Sequence, residues 1–356
     1  MSSLIFNPVA HLPTTNPLAL LRMAGAITTR NFSLSDVPDV SGKVAVVTGG
    51  SAGIGREFCA QLLLHGVAKV YVLARSEARF SEAKAEWSRK HALSDDDLAR
   101  RAEFIRCDLA DVAAVHQCVQ TLLKQLARLD ILILNAALYL SPNYQLSAQG
   151  VESLFAANHL GHFVLTNLLL PLVEKTAAEH GDARILAVSS MMHMFCMELD
   201  LSLLTSPTPT KYPALLDTNW RYARSKLANV LFVRELAKRL DKKGVSNVYV
   251  NSFHPGNIPT DAFDAWKDML GNAAGSAFKT VFQYTGQKPE DAATTAMYLA
   301  TSPDIVSKGV KGKYFVPIAQ EEKTSTVAED KNLQKNLWYW SDSKVAETLG
   351  KGWQNE

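Results

Sequence analysis

Tyr222 and Lys226 stand four residues apart in Tyr222-Ala223-Arg224-Ser225-Lys226, and on a helix that spacing puts a phenol and an ammonium on one face. A phenol with an ordinary pKa of about 10 is a poor acid-base catalyst at neutral pH, whereas a neighbouring ammonium favours the phenolate and draws the pKa toward the working range. Y-x-x-x-K is a spacing that many helices contain. Its weight here comes from its place, just after the fifth predicted strand. A second group points to a phosphate ligand. Thr48-Gly49-Gly50-Ser51-Ala52-Gly53-Ile54-Gly55 follows a strong strand and opens a helix, so glycines 49, 53 and 55 let the backbone turn sharply and approach a pyrophosphate at a positive helix N-terminus. The next strand, Val70-Tyr71-Val72-Leu73, ends in Ala74-Arg75-Ser76, with no carboxylate to repel a 2′-phosphate and with a guanidinium able to grip one. That chemistry favours NADP(H) over NAD(H). Arg56, just after the glycine turn, is either a second positive contact or a solvent-facing helix residue.

These groups need a scaffold, and the chain supplies a regular one. Short β-branched runs alternate with longer helical patterns from Lys43 onward, which is the mark of a parallel sheet with helices on both faces. Seven strands are expected: Lys43 to Val47, Lys69 to Leu73, Glu103 to Cys107, Ile131 to Leu134, Arg184 to Val188, Val248 to Ser252 and Lys313 to Val316. Runs such as Val44-Ala45-Val46-Val47 and Ile131-Leu132-Ile133-Leu134 show no in/out alternation, as fits strands covered on both faces. Helices are expected at about Ile54 to His65, Ser76 to Lys90, Val112 to Gln125, Gln149 to Thr176, Trp220 to Leu240 and Pro289 to Thr301. Leu204 to Asp217, with Pro207, Pro209 and Pro213, reads as an irregular insertion at the rim of a substrate site.

Composition excludes several classes. Charged residues are 20% of the 356, with 37 basic and 35 acidic, which leaves no surplus for wrapping nucleic acid. Cys59, Cys107, Cys118 and Cys196 are widely spaced, so neither a zinc site nor a disulfide framework is expected. His159 and His162 share a helical spacing but lack a third ligand, and no metal is expected. The apolar stretch Pro17 to Ile27 falls short of the roughly 20 residues that span a bilayer and lacks the layout of a secretory signal. A soluble, cytoplasmic protein is expected, its N-terminal helix docked on the fold or in weak membrane contact.

The combined pattern resembles the short-chain dehydrogenase/reductase family over about Gly42 to Pro317. Thr48 to Gly55 looks like the family's T-G-x-x-x-G-x-G, Asp108 (with Leu109 beside it) like its adenine-side aspartate, and Asn135-Ala136-Ala137 like its N-A-G, with Ala137 in place of the usual glycine. The resemblance implies a catalytic set of Asn158, Ser190, Tyr222 and Lys226, with Ser189 as the alternative serine, and a nicotinamide-side loop at His254-Pro255-Gly256 with Ile258 and Thr260. It also implies one α/β domain, a Rossmann-type doubly wound parallel sheet of seven strands, over residues 42–320, with extensions at residues 1–41 and 321–356. The cofactor contacts it implies are Gly49, Ser51, Gly53, Ile54, Gly55, Arg75, Asp108, Leu109, Asn135, Ala136, Tyr222, Lys226, Pro255, Gly256, Ile258 and Thr260.

Within the family, Asn158 to Phe163, Ser225 to Asn229 and Leu337 to Ser341 are similar to the retinol dehydrogenase and WW-domain oxidoreductase branch, which implies lipophilic substrates. The apolar residues Phe263, Trp266, Met269, Leu270, Phe278, Val281, Phe282 and Tyr284 agree with an apolar pocket or lid. The expected reaction is reduction of a lipophilic ketone or aldehyde to its alcohol, in secondary or lipid metabolism. Ser190 would bond the substrate oxygen, Tyr222 would give it a proton, Lys226 would hold the nicotinamide ribose, and Asn158 would fix a water. A non-catalytic NADP(H)-binding regulator and an interaction scaffold built on the termini are the other readings. The family implies a homodimer or homotetramer through the long helices near Val151 and Trp220.

Overall fold

A computed structural model of the chain describes residues 30–139, 141, 143–206, 214–258 and 287–355. Continuous apolar runs become the centre of one sheet. Its strands are β1 (Val44–Thr48), β2 (Lys69–Ala74), β3 (Ala102–Arg106), β4 (Ile131–Leu134), β5 (Ala183–Val188), β6 (Val248–Phe253), β7 (Tyr314–Val316) and β8 (Gln320–Glu322), in the order β3-β2-β1-β4-β5-β6-β7-β8. All seven expected strands are present and parallel, with Val46 opposite Tyr71 on one side and Leu132 on the other. The eighth runs antiparallel to β7. Its Gln-Glu-Glu sequence carries no apolar signal, and it is held by main-chain pairing that covers what would otherwise be a bare sheet edge.

Helices cover both faces because the strands offer apolar side chains to both. On one face α1 (Gly53–Leu64), α2 (Glu77–His91) and the helix at Pro289–Thr301 pack over Ala45, Val47, Val70 and Ile133. On the other, α4 (Val112–Leu123), α5 (Gly161–His180) and α6 (Ala214–Lys243) pack over Val46, Leu132, Ile185 and Val250. Between β2 and β3 lies α3 (Asp95–Arg101), which the apolar pattern did not announce. It buries only Leu98 and is held by its ends, where Ser94 accepts from the Asp97 amide, three aspartates fill the first turn and Arg100 and Arg101 the last.

Three expectations change. The helix expected from Gln149 begins at Ser153, where Glu152 accepts from the amides of Leu154 and Phe155, and it passes through a π-helical turn, Ala156–Leu160, before α5. Gly161 opens α5 because a Cβ there would stand 2.2 Å from the Leu109 carbonyl oxygen, so this helix and the loop after β3 are in backbone contact. The insertion expected at Leu204 to Asp217 is already helical from Ala214, since α6 begins well before Trp220, and residues 207–213 lie outside the described residues. After Pro289–Thr301, which is α7, the helix α8 (Lys331–Leu349) packs against α6 and α4. Its Leu337, Trp338 and Val345, with Trp353 beyond it, join the same core as Phe163 and Phe232. That face includes the long helices expected to pair with a second copy. No helix of the described residues is long and apolar enough to cross a membrane.

Candidate active site

The strand order reverses direction between β1 and β4, and the crevice beyond the carboxyl ends of these strands is where open α/β sheets bind ligands. Apart from Tyr222 and Lys226, which α6 carries, every predicted cofactor residue that is described lies at such an end. Gly49, Ser51, Gly53, Ile54 and Gly55 follow β1, Arg75 follows β2, and Asp108 and Leu109 follow β3. Asn135 and Ala136 follow β4, and Pro255, Gly256 and Ile258 follow β6. Thr260 and the apolar run from Phe263 to Tyr284 lie outside the described residues.

The glycine turn has the form of a phosphate cradle. A Cβ on Gly55 would lie 2.4 Å from both the Gly49 carbonyl oxygen and Asn135 Nδ2, so only glycine permits this closure. The N-cap residue of α1 is Ala52, which has no side-chain acceptor, and no side chain caps the helix. Its first amides remain available to an anion. Arg75 is exposed at the end of β2 and makes no ion pair among the described residues. Arg56 is committed elsewhere, 2.7 Å from Glu86, so it belongs to the helix surface. These observations fit a nicotinamide dinucleotide at this end of the sheet.

Asn158, Ser190, Tyr222 and Lys226 come together from three elements: the π turn before α5, the end of β5, and α6. Lys226 is buried, its Nζ donating to the Val188 carbonyl at 3.0 Å and lying 5.5 Å from the Tyr222 ring centre. The two serines divide cleanly. Ser189 donates its hydroxyl to the Lys226 carbonyl at 2.8 Å, whereas the Ser190 hydroxyl acts on the Tyr222 phenol and favours its ionised form. Asn158 makes three side-chain hydrogen bonds to protein. Its Oδ1 accepts from the Leu138 amide at 2.7 Å, and its Nδ2 donates to the Leu138 carbonyl at 2.9 Å and to Ser225 Oγ at 3.0 Å. The side chain holds the loop after β4.

The electrostatics run opposite to the spacing argument. Burial, then the nearby Tyr139 phenol, pushes Tyr222 above its usual range, with Ser190 opposing them, while burial alone pulls Lys226 down to about 7. Lys226 Nζ turns toward the Val188 carbonyl, and burial sets the direction of the Tyr222 shift. Tyr222 therefore stays protonated at neutral pH.

Sequence reasoning missed the residues that hold this arrangement. Tyr139, on the loop after β4, meets Tyr222 edge to face with ring centres 4.7 Å apart. That loop is pinned by Asn158, by Thr218 Oγ1 accepting from the Ser141 amide at 2.9 Å, and by Arg221, which donates to the Ser141 carbonyl. Arg221 is 2% exposed and also reaches Asp217 at 2.7 Å and Glu152 at 3.1 Å, tying the start of the Asn158 helix to the residue before Tyr222. Only the Asp217/Arg221 spacing was visible in the sequence.

Three buried histidines make the fold sensitive to acid. Burial, as the largest cause, lowers His159 to about 3, His162 to about 4 and His193 to about 4, from 6.5. Between those values and 6.5 the unfolded chain binds more protons than the folded one, so stability falls as pH drops through this window. Each histidine contributes at most about 1.4 kcal/mol per pH unit. The urea midpoint should therefore drop steadily from pH 6.5 to 4.5, and a flat midpoint would show that these rings are not held neutral.

Comparison with known proteins places this geometry. Residues 43–197 match the family model described as short chain dehydrogenase. Mouse retinol dehydrogenase 14 is 35% identical, with 92% of this chain and 93% of that protein covered. A Schizosaccharomyces pombe protein described as an uncharacterized oxidoreductase is also 35% identical, over 83% of this chain and 82% of its own length. Among solved structures, one from Mycobacterium Paratuberculosis aligns with a TM-score of 0.65 at 24% identity, covering 89% of this chain and 98% of that one. The Pseudomonas aeruginosa RhlG/NADP active-site complex aligns with a TM-score of 0.57 at 24% identity, covering 78% and 95%. Both share the fold.

Proposed function

The chain belongs to the short-chain dehydrogenase family, a family of oxidoreductases, and from that premise we propose that it is an NADP(H)-dependent reductase converting a lipophilic ketone or aldehyde to its alcohol. One observation carries the proposal: a phenol kept protonated by burial faces the Ser190 hydroxyl beside a buried lysine, at the carboxyl-end crevice.

Gly49, Ser51, Gly53, Ile54 and Gly55 would hold the pyrophosphate, Arg75 the 2′-phosphate, Asp108, Leu109, Asn135 and Ala136 the adenosine side, and Pro255, Gly256, Ile258 and Thr260 the nicotinamide side. When bound, the nicotinamide supplies the hydride that reduces the carbonyl carbon. Ser190 donates a hydrogen bond to the substrate oxygen, which orients the carbonyl and stabilises the charge that builds on it. Tyr222 delivers its proton to that oxygen, a role that suits a group held protonated at neutral pH. Lys226, with a pKa near 7, reaches both charge states in the working range and can resupply the phenol. Asn158 positions the loop carrying Tyr139, which walls the phenol. The name of the mouse relative supports a lipophilic alcohol and carbonyl pair.

The test is loss of NADPH absorbance with a panel running from short hydrophilic to long-chain or terpenoid aldehydes and ketones. Rates should rise with apolar size, and no turnover anywhere on the panel would refute the proposal. Cofactor choice is tested by Arg75→Ala. Losing charge-assisted bonds to a phosphate should weaken NADPH binding about tenfold or more, with NADH binding unchanged. Equal weakening of both in a fluorescence titration would remove Arg75 from the site.

A further inference from the structure

His162 is 2% exposed and touches both halves of the site. Its Nε2 lies 2.8 Å from Thr48 Oγ1, at the foot of the glycine turn, and its Nδ1 lies 3.0 Å from the main-chain carbonyl of Asn158. Counting donors and acceptors fixes how the ring is used. Thr48 Oγ1 accepts from the amides of Asn135 at 2.8 Å and Ala136 at 3.0 Å, which fills both acceptor positions of a hydroxyl. Its one proton is therefore free to donate, and His162 Nε2 is nearer than the Ile133 carbonyl at 3.4 Å. A carbonyl only accepts, so Nδ1 carries the proton toward Asn158. Both bonds are satisfied by one neutral tautomer, and burial keeps the ring neutral down to about pH 4.

The bonds continue in both directions. Asn158 reaches Ser225 Oγ at 3.0 Å, and Ser225 donates to the Tyr222 carbonyl at 2.8 Å. At the other end, Asn135 and Ala136 form the loop after β4 on the cofactor side. We infer that His162 is a positioning residue: its imidazole closes one hydrogen-bonded chain from the cofactor loop, through Thr48, to Asn158 and the helix that carries Tyr222, and so sets the bound dinucleotide and the proton donor relative to each other. This rests on the reductase reading. The π-helical turn is part of the device. Asn158 sits within it, and it is secured on its far side by His159, whose Nε2 lies 2.9 Å from Ser341 Oγ of α8.

Three substitutions in the full-length chain separate the two bonds. His162→Asn keeps a donor to Asn158, as Asn167 already donates to the Phe163 carbonyl at 2.8 Å one turn later, but it cannot reach Thr48. His162→Gln can place an acceptor at Thr48 while abandoning Asn158, and His162→Leu loses both. The readouts are NADPH affinity by fluorescence, kcat with 4-nitrobenzaldehyde, and hydrogen exchange at the Asn135 and Ala136 amides. His162→Asn should weaken NADPH binding about tenfold and speed exchange while keeping kcat, His162→Gln should lower kcat about tenfold while keeping affinity, and His162→Leu should do both. A merely structural core histidine would give equal losses in the Asn and Gln variants, or none in a folded Leu variant, and either result overturns the inference. Should the Leu variant fail to fold, the Asn and Gln pair still decides. If the unmodified protein binds NADPH but reduces no carbonyl, the reductase reading fails, while affinity and exchange still judge His162. Unchanged affinity and exchange in an active enzyme would sink His162 alone.

Discussion

Tyr222→Phe should bind NADPH as tightly as the unmodified chain and reduce carbonyl substrates on the order of a thousandfold more slowly, within the range expected for losing a general acid. The substitution isolates the proton because it spares the packing. Phenylalanine keeps the ring whose centre is 4.7 Å from that of Tyr139 and 5.5 Å from Lys226 Nζ, and it removes a hydroxyl that burial already disfavours in its charged form. Ser190 and Lys226 stay in place, so substrate orientation survives and the loss should fall on kcat rather than KM. Single-turnover NADPH oxidation would measure it. A decrease smaller than tenfold would mean the proton comes from elsewhere, and the proposed mechanism would fail with the fold intact.

Removing residues 331–356 should abolish cooperative folding. Trp338 stacks on Phe232 with ring centres 5.7 Å apart, meets Phe163 edge to face at 4.9 Å and carries the Arg239 guanidinium 4.2 Å above its ring. Trp353 is 1% exposed and donates to Asp342 at 2.9 Å. Losing each buried tryptophan costs about 3–5 kcal/mol, and whole domains are stable by only about 5–15 kcal/mol. Leu337 and Val345 add to the loss. Near-ultraviolet circular dichroism and urea titration of a chain ending at Asp330 should show no cooperative transition. A truncated chain that unfolds cooperatively and binds NADPH would show that the tail is an appendage, and would revive the reading in which it serves a separate partner.

Much of the framework was legible because it is written in local patterns. Short β-branched and apolar runs marked the seven parallel strands, and a glycine turn after the first of them marked the candidate phosphate site. Elements without an apolar stripe were less visible. Gln320–Glu322 is a strand only because β7 offers it an unpaired edge, and Asp95–Arg101 is a helix chiefly because its caps and end charges suit one. In the site, the i,i+4 spacing correctly brought Tyr222 and Lys226 together but did not give the direction of their shifts, which burial sets and spacing cannot reveal.

The sequence by itself determined the sheet, the cofactor turn and the identity of the chemical groups, because strand runs, glycine spacing and helical periodicity are properties of neighbours along the chain. Only the tertiary structure decided which serine faces the phenol, that Asn158 braces a loop, that Arg221 and His162 tie the site together, and that α8 completes the core. Those outcomes depend on contacts between residues far apart in sequence, such as Thr48 with His162 and His159 with Ser341, and on the dielectric that packing creates around Tyr222 and Lys226. Distance and burial exist only once the chain has closed on itself.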